Sequence, residues 1–288
     1  MKVFVITGQT GTGKTALAVN TALTYDGELV NADSRHVYRF LDVVTGKDTT
    51  KPFQKSIPIH LLDCVAPDEQ FSSHDFVQLA TVIIADILKR GKTPIVVGGT
   101  YLYIQQLLYG QSIQVQPNPQ LRDELSQKSK EELQHMLHRL HSNHHLNSSD
   151  WNNPRRLIRQ IEIYSSIDPR KPSQSVPPTH GISTMYDLNI IGLKHPNPES
   201  ARKKIQSRVE QRLRDGALNE TRSLLKKGYK KTDPGLQTIG YTQLIAHLNG
   251  ELSFEEATGR WITAEVQYAK RQLTFMKKDP NIQWTTID

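Results

Sequence analysis

Gly8-Gln9-Thr10-Gly11-Thr12-Gly13-Lys14-Thr15 fits the pattern G-x-x-x-x-G-K-[ST], whose chemistry is the capture of a di- or triphosphate. The glycines let backbone N–H groups turn toward phosphate oxygens. The Lys14 ammonium reaches the terminal phosphates, and the Thr15 hydroxyl can bind Mg²⁺. Such a loop needs a strand before it and a helix after it. Val3–Thr7 is a short apolar run that reads as a buried strand, and Ala16-Leu17-Ala18-Val19 opens a helical segment. The pattern is silent on the fate of the phosphate.

Other residues could carry chemistry. Asp33-Ser34 directly follows a second apolar run, Glu28–Asn31. The carboxyl ends of strands in an open parallel sheet face the ligand crevice, so Asp33 should lie near the phosphate loop. There it could act as a general base, as an Mg²⁺-linked carboxylate or as a turn cap. Arg208 and Arg212 share a helix face, with Arg202, Lys203 and Lys204 earlier on the same segment. That pair could close over a diphosphate or simply face solvent. Arg155, Arg156 and Arg159 mark the polar side of another helix and suit backbone phosphates, with pairing to Glu162 or solvation as the alternative. His135, His138, His141 and His145 fall at helical spacing, but no cysteine or carboxylate completes a metal-ligand pattern, so they read as an exposed face.

The elements that must position these groups alternate strand and helix at first, as in a parallel α/β sheet. Strands are expected over 57–62 and 93–99. Between them Phe76, Leu79, Ala80, Ile83, Ile84, Ile87 and Leu88 recur at helical spacing, started by a Ser72/Asp75 capping box and stopped at Gly91. A further core strand, Asn189–Leu193, follows only after a long excursion. The core is therefore expected as residues 1–114 and 187–288, interrupted by a helical insertion over 115–186. Leu121, Leu125, Leu133, Leu137 and Leu140 mark its first helices. Leu157, Ile158 and Ile161 mark another that starts at Asn153-Pro154. The stretch from Asp168 to Thr184 is rich in Pro, Ser and His and reads as a loop. In the tail, Ile205, Val209 and Leu213 form a stripe ended by Gly228, and Ser253/Glu256 opens a last long helix toward Lys278.

Composition narrows the classes. No run approaches the roughly 18 apolar residues of a membrane span, and Met1-Lys2-Val3 enters the first strand directly, which points away from a leader peptide. Cys64 is the single cysteine, so neither an internal disulfide nor a cysteine zinc site is available, and a cytoplasmic setting is expected. The net charge of +7 is concentrated: residues 1–114 carry 0, 115–193 carry +1 and 194–288 carry +6. A basic last third suits a polyanionic partner, nucleic acid first, or a solvated helix face.

Taken together, the motifs resemble the tRNA dimethylallyltransferases. Gly8–Thr15 is similar to the family's G-x-T-x-[ST]-G-K-[ST], and Asp33-Ser34-Arg35-His36-Val37-Tyr38 to its Asp-Ser-x-Gln-x-Tyr segment. Val97–Tyr103 resembles Gly-Gly-Thr-x-Leu-Tyr, and Asn152–Arg159 the Asn-Asp-Pro-x-Arg-x-x-Arg helix. Arg208–Arg212, Ile239-Gly240-Tyr241 and Ala269–Thr274 complete the set in the family's order, along nearly the whole chain. His36, Asn153, Arg39-Phe40 and Phe275 depart from the usual residues.

The resemblance implies a P-loop NTPase-like parallel sheet flanked by helices, with a helical tRNA-binding insertion. It implies transfer of a dimethylallyl group from dimethylallyl diphosphate to N6 of the adenosine 3′ to the anticodon, in tRNAs reading codons that begin with U. Thr10, Asp33 and Arg212 would be catalytic, with Thr10 and Arg212 at the diphosphate, Asp33 taking the N6 proton and Mg²⁺ at Thr15. Asp33, Ser34, Arg35, His36, Thr100 and the segment Gln237, Thr238, Ile239, Gly240, Tyr241 and Thr242 would meet the flipped base and its neighbours. Arg122 and the row Arg155, Arg156, Leu157, Ile158 and Arg159 would meet the anticodon stem-loop. The partners implied are tRNA and the donor, with no membrane, for a monomeric enzyme. Rival readings are an adenylate isopentenyltransferase acting on free nucleotide, a P-loop small-molecule kinase, and a nucleotide-regulated RNA-binding module.

Overall fold

The computed structural model of the protein describes residues 1–47, 57–110, 115, 118–141, 146–166 and 180–287. The proline-rich stretch after Asp168 and His145 therefore lie outside the described residues, apart from residues 180–184.

The first unit comprises Met1–Tyr109 and Gly181–Asp288. Its elements are β1 (Lys2–Gly8), α1 (Lys14–Thr24), β2 (Gly27–Asn31), β3 (Ile59–His60), α2 (Ser73–Lys89), β4 (Thr93–Val97) and α3 (Tyr101–Tyr109). The second unit, Gly110–His180, holds α4 (Pro119–Ser126), α5 (Lys130–Leu140), α6 (Ser148–Trp151) and α7 (Pro154–Ser166). The chain then returns to the first unit with β5 (Asp187–Lys194), α8 (Pro198–Arg214), α9 (Ala217–Lys226), α10 (Tyr241–Leu248), α11 (Phe254–Met276) and β6 (Gln283–Thr286).

The strands form one sheet in the order β3-β2-β4-β1-β5-β6, parallel at every pairing. Alternation along β1 feeds both faces. Val3 and Val5 pack with Phe76, Ile84 and Ile104 beneath α2 and α3, whereas Phe4 and Ile6 pack with Ala18, Val19 and Ala22 of α1. The expected strand over 57–62 pairs only at Ile59–His60, because Leu61 and Asp63 take positive φ and turn the chain away. β6 escapes the periodicity argument: it is a largely exposed edge strand without an apolar run. The expected stripe through Leu213 breaks at Gly216, whose left-handed backbone caps the new helix α9. Leu79 and Leu140, read as apolar-face positions, are exposed.

Leu125, Leu133, Leu137, Leu157 and Ile161 are fully buried and build a separate core for the second unit. Glu162 lies beside it with no side-chain exposure. Its carboxylate accepts from Arg122 Nε at 2.9 Å and Nη2 at 2.8 Å and from the Asn118 N–H at 2.6 Å, and it also pairs with Arg159. Burial alone would raise its pKa; the Arg122 guanidinium, the Asn118 N–H and Arg159 outweigh it and hold the carboxyl below its ordinary value. Glu162→Gln should therefore cost this unit about 1–3 kcal/mol, moderated because both guanidiniums keep some water. A lowered folded-state pKa means the contribution is present above the ordinary carboxylate value and lost as pH falls below it. Urea unfolding of both proteins at neutral and acid pH should show the difference narrowing in acid.

Candidate active site

Strand order brings the singled-out residues together. β4 lies between β1 and β2, so the loops leaving the carboxyl ends of all three meet. The Gly98 N–H donates to Ile6 O at 3.1 Å, Ala32 N–H to Val97 O at 2.8 Å and Thr100 N–H to Ala32 O at 3.2 Å. A side chain at Gly98 would collide with the Ala32 backbone, within 2.2 Å.

The phosphate loop runs from Gly8 into α1, where Gly13 caps the helix in the left-handed region at φ 81°. Lys14 Nζ donates to Gly8 O at 3.1 Å and Gln9 O at 2.7 Å, so its ammonium lies across its own loop. Burial and the repulsion of Arg208, eased by Asp33, bring its pKa down to about 8. Thr12 Oγ1 donates to Gln9 O at 2.8 Å. Gln9 is buried and spent on the fold: its amide donates to Ala269 O at 3.2 Å and accepts from the His195 N–H at 3.0 Å. Thr10 stays partly exposed, with its hydroxyl 3.4 Å from Arg208 Nη1.

Asp33 follows β2, on the far side of β4 from the phosphate loop. Its own N–H donates to Asn31 Oδ1 at 3.2 Å, and Oδ1 accepts the Arg35 N–H at 2.9 Å. Burial pushes its carboxyl up, but His36, the Arg35 N–H and Lys14 more than offset that and leave it below the ordinary value. His36 is in turn pushed down, by burial first, with Lys47 and Arg212 adding to it against Asp33. Thr100 Oγ1 accepts the Ser34 N–H at 2.9 Å and donates to Ser34 Oγ at 3.2 Å. Burial plus the nearby Asp33 charge push the phenol of Tyr268, on α11, up to about 12.

Several expectations shift. The arginine within reach of Thr10 is Arg208; Arg212, one turn on, is buried, 3.0 Å from Glu265 Oε1 and 3.1 Å from Thr45 O. Of the 237–242 segment, Gln237 is exposed, Ile239 and Thr242 partly so. Thr238 donates its hydroxyl to Gly235 O at 2.6 Å, and Gly240, at φ 98°, packs against Val44 and Trp261. The expected contact of Tyr241 and Leu157 side chains with RNA is corrected: both are 0% exposed, and the Tyr241 hydroxyl is bound to Glu220 at 2.6 Å. Arg155 and Arg156 are exposed, Arg156 pairing with Asp150, while Arg122 and Arg159 serve Glu162. His135, His138 and His141 belong to no cluster that could hold a metal among the described residues. Tyr268, Glu265 and His195 stand outside the motifs read from the sequence, and Gln272 stands within Ala269–Thr274 without a role of its own. The signal available was that Glu265, Tyr268, Gln272 and Met276 recur at helical spacing on α11, and that His195 follows a strand's carboxyl end.

The family model for IPP transferase matches residues 36–279. The chain belongs to the IPP transferase family. Among its relatives, tRNA dimethylallyltransferase 1 of Citrifermentans bemidjiense is 38% identical, over 99% of this chain and 92% of that protein. The crystal structure of the full-length tRNA isopentenylpyrophosphate transferase of Bacillus halodurans superposes with a TM-score of 0.72 at 30% identity, covering 99% of this chain and 89% of the other. A eukaryotic dimethylallyltransferase acting on tRNA gives 0.78 at 27% identity, over 99% and 73%. This IPP transferase chain thus carries the family's fold over 99% of the given residues, with the P-loop in front of the matched region. Among its described residues no helix is long and apolar enough to cross a membrane.

Proposed function

We propose that the protein transfers the dimethylallyl group of dimethylallyl diphosphate to N6 of the adenosine 3′ to the anticodon, in tRNAs reading codons that begin with U. The observation that carries the reading is the juxtaposition, within a family-matched chain, of a phosphate loop after β1 with the Asp33–Ser34–Thr100 cluster formed by the loops after β2 and β4. The loop holds the diphosphate as a leaving group. N6 attacks C1 of the prenyl chain, the C1–O bond breaks with its electron pair going to the diphosphate, and the N6 proton passes to the Asp33 carboxylate. Lys14 and Arg208 offset charge gathering on the leaving oxygens. The base has to leave the anticodon stack to reach Asp33.

The residues present suit Mg²⁺ at Thr15: one hydroxyl on the first helical turn beside an anion site matches a hard ion that takes its other ligands from phosphate and water. When bound, the ion would neutralise diphosphate charge and ease departure of the leaving group.

Incubation with labelled dimethylallyl diphosphate, and separately with ATP, against tRNA and AMP tests the reading. Label entering tRNA alone supports it. Label entering AMP points to a nucleotide prenyltransferase, and phosphate transfer from ATP to a kinase.

Lys14 sets a pH dependence. Below about 8 the free protein carries its charge and attracts the diphosphate; as pH rises through that value the charge is lost. Affinity for inorganic pyrophosphate, a competitor of the donor, should fall by up to about tenfold per pH unit above it. Calorimetric titration across the range checks this, and a flat profile rejects the role of Lys14.

tRNA binding should weaken steeply with salt through counterion release. Arg155→Ala with Arg156→Ala should lower affinity for every tRNA substrate and flatten the salt slope by about one unit per lost contact. Arg159 is left out of this test because it serves Glu162. Filter binding at several salt concentrations reads both quantities.

A further inference from the structure

Gln272 enters none of the steps above, yet its side chain is buried at the junction of the two loops that the reaction must hold in register. Its Oε1 accepts the Thr10 N–H at 2.9 Å, and its Nε2 donates to Gly99 O at 2.9 Å. Thr10 belongs to the loop after β1 and Gly99 to the loop after β4. The link continues through the next residue, since Thr100 Oγ1 accepts the Ser34 N–H beside Asp33. The same face of α11 grips the phosphate-loop side on neighbouring turns: Ala269 O accepts from Gln9 Nε2 at 3.2 Å, and Met276 Sδ from Thr7 Oγ1 at 3.3 Å.

We propose that Gln272 is a positioning residue that sets the spacing between the leaving-group loop and the acceptor-base loop during prenyl transfer. The proposal rests on the function given above. Displacement at carbon needs nitrogen, C1 and the leaving oxygen in line, and a misplacement of about 1 Å can cost about 10²-fold in rate. A primary amide suits the task because one planar group presents an acceptor to Thr10 and a donor to Gly99 at once. Glutamate would keep the acceptor but set a carboxylate oxygen against Gly99 O, and methionine would supply neither bond. The bond also commits the Thr10 N–H to Gln272, leaving the Thr10 hydroxyl to face the ligand.

Two variants test this from opposite ends. Gln272→Met fills similar space without the hydrogen bonds. Gly99→Ala leaves Gln272 in place but adds a Cβ 2.5 Å from its Nε2, at a φ outside the left-handed region, so the amide must move. With dimethylallyl diphosphate and tRNA, kcat should fall about 10- to 10²-fold in each. The donor KM should stay within about threefold. The two losses should not add, because both variants break the same tie. Hydrogen exchange at the Thr10 amide should accelerate in both. Gln272→Glu should not restore kcat. Unchanged kcat in a folded variant overturns the proposal, as does a loss confined to donor KM. Should Gln272→Met not fold, Gly99→Ala carries the test. If the wild-type protein makes no prenylated tRNA, the function fails instead, and unchanged Thr10 exchange in the variants would separately overturn the tie.

Discussion

Replacing Asp33 with alanine should lower single-turnover prenyl transfer about 10²- to 10⁴-fold, with tRNA affinity close to wild type. The carboxylate is held by the Arg35 N–H at 2.9 Å, next to the Ser34–Thr100 pair and within the field of Lys14. Its pKa lies below the ordinary value of 3.8 despite burial, so it is ionised at neutral pH and is a weak base. That strength fits a late proton transfer: the N6 proton becomes acidic only as the C–N bond forms and nitrogen gains positive charge. Asp33→Asn keeps an acceptor for the Arg35 N–H but cannot take the proton, so it should be as slow as alanine. Near-normal turnover in either variant rejects the role. Because the charge is lost only below the ordinary carboxylate value, Asp33 should add no acid limb to the single-turnover rate between about pH 5 and 7.

Gly8→Ala should destabilise the protein by about 4 kcal/mol or more, at the exceptional end for one substitution. Gly8 has φ 140°, and a Cβ there would lie 2.1 Å from Leu193 O and 2.7 Å from Leu193 N, the backbone of the paired strand β5. Backbone of a central strand cannot yield as a flexible side chain can. Gly13→Ala is the control. It also has positive φ, 81°, but a Cβ there meets nothing within 4 Å, so its cost should be about 1–2 kcal/mol of backbone strain. Urea midpoints of the two variants decide the point. Equal stability would show that β5 moves aside, and that Gly8 serves the phosphate alone.

Local patterns in the chain were enough to place the phosphate loop between β1 and α1, to find β2 and β4, and to start α2 and α11 at their capping boxes. Those features depend on neighbours a few residues apart, and alternation, helical spacing and Ser-to-acid spacing record such neighbours directly. The separate helical core around Leu133, Leu137, Leu157 and Ile161 was legible for the same reason. What the tertiary structure decided depends on strand order and on partners far apart in the chain. The order β2-β4-β1 sets Asp33 beside the loop, and the return of the chain through β5 explains Gly8. Arg208 and Arg212 share a helix face in sequence, yet the first meets Thr10 and the second Glu265, because they lie against different elements. Glu162 captures Arg122 across 40 positions, a structural tie that helical spacing does not show. Gln272 reaches Thr10 across 262 positions and Gly99 across 173, distances over which no sequence periodicity carries information.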